Sequence, residues 1–292
     1  MSQKTTQLGV KLKKIFLPFL LINVGTILSY GLFRWVFDVK LGILNIDVEV
    51  LDFWMSILLP WVPILLWIRP QLNVLKHRKR GRLDNYWTIQ WFMSLVIFLP
   101  LLNSQEYIVQ AGYDLIELDS VEQVSDFQNE KYFRLNNFIL DTDHSVSYTI
   151  ARTSGRANQY LDYNSYTAIP FKEVDHTFLG FFYAESLSNR LSDHEKNTLY
   201  RGFLNNAEQA LSASSFYTAQ YFERVPNSRE LKGYLNSLET IEEPSETNQA
   251  IILKPVYKSF EQRYGNKVDW ILGTFAAGIL FIFILLMFYP VK

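Results

Sequence analysis

Val268-Asp-Trp-Ile-Leu-Gly-Thr-Phe-Ala-Ala-Gly-Ile-Leu-Phe-Ile-Phe-Ile-Leu-Leu-Met-Phe-Tyr289 decides the class of this protein. A helix needs about 20 mostly apolar residues to cross a hydrocarbon core of about 30 Å. This run meets that length, with Trp270 at one end and Tyr289 at the other, where amphipathic rings sit at a membrane interface. Three more runs lie toward the N-terminus, at 15–37, 51–68 and 86–102. The first follows Lys11, Lys13 and Lys14 as a signal peptide would, but it is too long for one and no small-x-small cleavage site follows. Pro60, Pro63 and Pro100 kink or end helices in water, and membrane helices accommodate them when neighbours satisfy the freed backbone. The second and third runs have a re-entrant pair as their rival reading, which the long basic linker between them disfavours.

Charge around the runs sets an orientation. Lys4, Lys11, Lys13 and Lys14 precede the first run, and Arg69, Lys76, Arg78, Lys79, Arg80 and Arg82 lie between the second and third against Asp84 alone. The flank between the first two runs is the reverse: Lys40 faces Asp38, Asp47, Glu49 and Asp52. Lysine and arginine stay on the cytoplasmic side. Both termini are therefore expected inside and the segment after Leu102 outside, in a cytoplasmic (inner) membrane. The stretch Lys76, Arg78, Lys79, Arg80 and Arg82 reads as topology-setting contact with anionic lipid headgroups, each cation contributing about 1 kcal/mol. Nucleic acid is the poorer reading.

The expected architecture is a polytopic α-helical membrane protein of four spans with an α+β extracytoplasmic domain. Residues 1–102 hold three spans, 103–267 the domain and 268–292 the last span. The domain carries 23 acidic and 15 basic side chains, a balance of −8 that argues against polyanionic ligands. With no cysteine in the chain, it has neither disulfides nor a thiolate nucleophile.

Alternation marks strands at 131–140 and 145–153, separated by the turn-rich Asp141-Thr-Asp-His144. Further strands are predicted over 159–171, 178–186 and 250–260. Ser192-Asp-His-Glu195 is a capping box, and Leu199, Phe203, Leu204, Ala207 and Leu211 follow at helical spacing. A shorter helix is predicted from Ser228. The pattern implies a mostly antiparallel sheet with helices.

Chemistry-bearing constellations are few. Asp141, Asp143 and His144, with the pair Asp175-His176, have the ligand types for a divalent metal, but Asp is common in such turns for its own backbone bonds. Ser154-Gly155 lacks the first glycine of a nucleophile elbow and suits a hairpin turn. The histidines are His77, His144, His176 and His194, none inside a span, so no intramembrane Ser–His dyad can form. Arg34 and Asp269 sit at span ends, where they reach the interface. Asn23, Thr26, Ser29, Ser56, Gln90 and Ser94 read as interhelical hydrogen bonds, and Gly25/Ser29 and Gly273/Ala277 as close helix contacts.

Three membrane runs followed by Lys131-Tyr-Phe-Arg-Leu-Asn-Asn-Phe138, Thr153-Ser-Gly-Arg156 and Ser188-Asn-Arg-Leu-Ser-Asp-His-Glu-Lys196 resemble the long N-terminal region of certain bacterial proteins grouped with the rhomboid family. In those, such a region precedes a six-helix intramembrane serine protease. Nothing here matches that family's Gly-x-Ser-x nucleophile segment or its His-bearing helix, so no functional residue carries over. The resemblance implies a companion or vestigial form without the protease part.

The expected function is a non-catalytic membrane protein whose exported domain binds a protein or peptide partner in the cell envelope, with no cofactor. The alternatives are a serine or metal hydrolase using Ser154, His144 and His176, and a small transporter component.

Overall fold

The computed structural model describes residues 2–76, 85–172, 174–239 and 249–292. They form two compact units: a helical one from Met1–Gly112 with Arg263–Lys292, and a sheet unit of Tyr113–Gln262.

Among the described residues, four helices are long and apolar enough to cross a membrane. The first three run over Gln7–Lys40, Val50–Val74 and Tyr86–Ala111, and the last over Lys267–Met287. Even the last, at 1.5 Å per residue, reaches about 31 Å. The third passes through Pro100 and ends well beyond Leu102. Ile15, Phe19, Ile64, Ile68, Met93 and Ile282 form the shared core. Large apolar side chains also face outward, among them Leu21, Leu28, Leu66, Trp91, Leu272 and Leu280.

Close helix contacts fall elsewhere than the small-residue pairs suggested. A Cβ on Gly25 or Gly273 would meet nothing within 4 Å. At Gly31 it would lie 2.9 Å from Ile108 Cδ1, and at Gly278 2.6 Å from Val96 Cγ1. Four of the expected interhelical hydrogen bonds are not made: Asn23, Ser56 and Gln90 are buried without a hydrogen-bond partner for their side chains, and Ser29 Oγ donates to Thr26 O of its own helix.

Arg34 does not reach an interface. It is 0% exposed. Its Nε and Nη2 lie 2.9 and 2.8 Å from Asp38 Oδ2, and its Nη1 lies 2.7 Å from Asp52 Oδ1. Both carboxylates sit in π-helical turns, Trp35–Lys40 and Val50–Trp54, whose wider winding turns them toward the guanidinium. Beside them Tyr30 Oη donates to Leu51 O at 2.7 Å, so a polar lock ties the first two helices.

In the sheet unit, seven strands are β1 (Leu115–Leu118), β2 (Tyr132–Leu135), β3 (Val146–Ser154), β4 (Tyr160–Pro170), β5 (Thr177–Ser188), β6 (Tyr221–Arg224) and β7 (Ile251–Val256). Their order is β1-β2-β6-β7-β5-β4-β3. The sheet is mostly antiparallel, with parallel pairs β1/β2 and β5/β7. The two strands expected over 131–153 are therefore not neighbours in the sheet. β2 and β3 lie on opposite sides of the sheet centre, and Thr142–His144 is a 3-10 turn between separate strands. β3 and β4 do form a hairpin, whose turn uses Gly155 at φ 77°.

Neighbouring residues on the same strands feed opposite cores. Ala168, Phe178 and Ile252 face the helix α2 (Arg229–Leu238), while Ile169, Leu179 and Leu253 face the other side with Phe216 and Phe222. That second side also carries the helix α1 (Asp193–Ala213), capped as expected by Ser192 and Glu195. The Ser192 hydroxyl and amide hydrogen-bond the Glu195 carboxylate and hold it below the usual range.

Gly233 lets α2 lie directly on the sheet. A Cβ there would sit 2.7 Å from three carbons of the Tyr166 ring, which Tyr234 and Phe182 hold from either side at 5.4 and 5.1 Å. Gly233→Val is expected to cost about 1–3 kcal/mol through overpacking, seen as a lower melting temperature of the full chain. Adding Tyr166→Ala should relieve part of that loss, and strictly additive losses would disprove the contact.

Candidate binding cleft

The tripeptide Ser-Tyr-Thr occurs twice, at 147–149 and 165–167, and the β3/β4 register sets the two copies opposite one another. Tyr148 pairs with Tyr166 on the face toward α2. On the other face Ser147 pairs with Thr167 and Thr149 with Ser165, their hydroxyls 2.8 and 3.4 Å apart. Ser165 and Thr167 are each only 4% exposed. Across these two tripeptides, one face thus carries large aromatics and the other only small hydroxyls.

α1 crosses the hydroxyl face but is held off it. At its middle Phe203 packs on Tyr163 and Tyr183, with ring centroids 5.4 and 5.5 Å away, and Asn206 donates to Glu185 at 3.3 Å. Beyond its end Phe216 meets Phe181 at 6.2 Å, and Tyr217 stacks on Phe138 at 5.0 Å. Between these anchors the helix presents Leu204, Ala207, Glu208 and Leu211. Helix side chains of this size and serine or threonine across from them cannot fill the layer spacing, which leaves a cleft of about 680 Å3. That is within the 300–1,000 Å3 usual for ligand sites. Thr142, Ser145, Ser212 and Ser214 add hydroxyls around its rim, and among the described residues Glu208 is the only charged one in the lining. The arrangement offers hydrogen bonds to neutral polar groups, apolar contact along the helix wall and a partner for one cation.

The residues singled out by sequence lie mostly elsewhere. His144 Nδ1 is 2.9 Å from Asp141 Oδ2 on an exposed turn, and this contact lowers the Asp141 pKa and raises that of His144. Asp143 is on the same turn. Ser154 is at the far end of β3 from His144, roughly 30 Å away at about 3.3 Å per residue. Its hydroxyl and that of Ser186 hydrogen-bond Asp162 and lower its pKa. His176 precedes β5 with φ 58°, and its carbonyl accepts the Ile251 amide at 2.7 Å. Ser154 and these imidazoles are not brought together. Among the described residues, no group of three or more His, Cys, Asp or Glu is placed to hold a metal. Lys76 donates its amide to Pro290 O at 2.8 Å, while His77, Arg78, Lys79, Arg80 and Arg82 lie outside the described residues.

The cleft itself escaped sequence reading, because serine and threonine in an alternating strand look like an ordinary solvated face. The repeated tripeptide is the signal that could have found it. The chain matches no family model, no curated protein and no solved structure.

Proposed function

We propose that this chain is an integral protein of a cytoplasmic membrane, with both termini inside, and that its sheet unit is an extracytoplasmic, non-catalytic module binding a protein or peptide partner in the cell envelope. The Ser-Tyr-Thr cleft carries the reading: a preformed space with hydroxyls on its floor and an apolar helical wall. The membrane part is supported by large apolar side chains facing outward from the four helices, where water would be a poor solvent. The distribution of lysine and arginine supports the orientation. Resemblance to the N-terminal region of long rhomboid-family proteins fits a companion module of this kind.

Two measurements test it. A reporter fused near residue 200 is expected to be active only outside the cytoplasm, and activity confined to the interior would overturn the topology. A photo-reactive residue at position 147, in the cleft lining, should cross-link an envelope polypeptide in intact membranes. The same residue at position 201, on the exposed side of α1, should not. Hydrolytic turnover by the intact protein, abolished by one side-chain change, would overturn the non-catalytic reading.

A further inference from the structure

β3 is the terminal strand beside the cleft, and its outer edge is open. Among the described residues, no backbone group outside β4 hydrogen-bonds to Val146–Ser154. Its register with β4 runs unbroken from Val146↔Ala168 to Ser154↔Tyr160. The strand has no proline and no bulge, and its one charge, Arg152, alternates to the face toward α2, so the usual devices that blunt an edge are few on the cleft side. The opposite edge, β1, is only 4 residues long against 9 for β3.

Resting on the binding reading above, the geometry points to strand addition: an extended peptide from the partner pairs with β3 and sends alternate side chains over the cleft. A strand added there lies about 4.8 Å beyond β3, with every second residue on the hydroxyl face. The cleft states what those residues are. Its wall, with Leu140, Ile169, Leu204 and Leu211, takes apolar side chains. Glu208, with no cation in the lining, takes one lysine or arginine, in keeping with the domain's balance of −8. A second copy of this chain is the poorer occupant. Paired antiparallel about a two-fold axis, its own β3 would bring only Ser147, Thr149, Ala151 and Thr153 to that face, too small to fill about 680 Å3. The ligand class is therefore an extended, cationic peptide with apolar residues at alternate positions.

A random nonapeptide library selected on the full chain in nanodiscs, after depletion on empty discs, tests this. Recovered peptides should alternate apolar residues and carry a lysine or arginine. The best of them should slow amide exchange within Val146–Ser154, and Glu208→Gln should weaken it about ten-fold. Peptides that bind Glu208→Gln equally well and leave β3 exchange unchanged would overturn strand addition while leaving a binding module. A library that enriches nothing over empty discs would overturn both. A shift of the purified chain to a dimer, with β3 exchange slowed and no peptide present, would favour the second copy and overturn the peptide.

Discussion

Arg34→Ala is expected to be the most damaging single change in the helical unit, costing about 3–5 kcal/mol. The guanidinium is fully buried and holds two carboxylates from different helices, Asp38 and Asp52. Removing it leaves those charges facing each other with little water to screen them. Ion pairs of this kind often contribute little net stability compared with a well-packed apolar replacement, because desolvation offsets most of the attraction. Breaking one is another matter. The variant should therefore melt far below the wild type in the same detergent, and the triple variant Arg34→Leu, Asp38→Leu, Asp52→Leu should regain most of the loss. If Arg34→Ala melts within a degree or two of wild type, the lock does not hold the first two helices.

Arg224→Ala is expected to be nearly as harmful to the sheet unit, at about 2–4 kcal/mol. The side chain leaves β6, lies against the Phe133 ring at 5.2 Å, donates from Nη2 to Val124 O at 2.8 Å and from Nη1 to Gln128 O. Those carbonyls belong to the 3-10 turn Val121–Asp126 and the segment just after it. The arginine thus fastens the link between β1 and β2 to the strand beside β2. Burial lowers its pKa to about 10, so it remains a cation at neutral pH. Its charge-assisted hydrogen bonds, worth about 1.5–3 kcal/mol each, are partly offset by that desolvation. Lysine should recover less than half of the loss, since one ammonium cannot fork to two carbonyls and stack on a ring. Full rescue by lysine would show that charge alone matters there.

Local signals carried through to the fold where they were strong. The Ser192 capping box, the α1 periodicity and the strands around 160–170 and 177–188 all stand close to where their residues place them. β1 and β6 were missed because 4 residues show too little alternation to separate strand from loop. The 131–153 pattern marks two alternating segments joined by a turn-rich tetrapeptide, but not their places in the sheet. Burial decided those. Tyr132 and Phe133 enter beside β6, with Phe133 packed against Phe222, and β3 goes to the far edge. The candidate chemistry fared similarly: Asp141 and His144 met through local geometry, while Ser154 and His144 were separated by the length of one strand.

By itself, the order of residues determined everything that depends on neighbours in the chain. It set the four greasy segments, the cationic flanks, the helix caps and the period of each strand, because hydropathy and capping act over a few residues. Tertiary structure decided what depends on which distant groups meet. It buried Arg34 between two carboxylates instead of letting it extend outward. It also set two Ser-Tyr-Thr copies in register, so that small hydroxyls faced a helix propped away by aromatics at its middle and beyond its end. Packing is a property of pairs far apart in sequence, and the cleft exists only because those pairs leave a space unfilled.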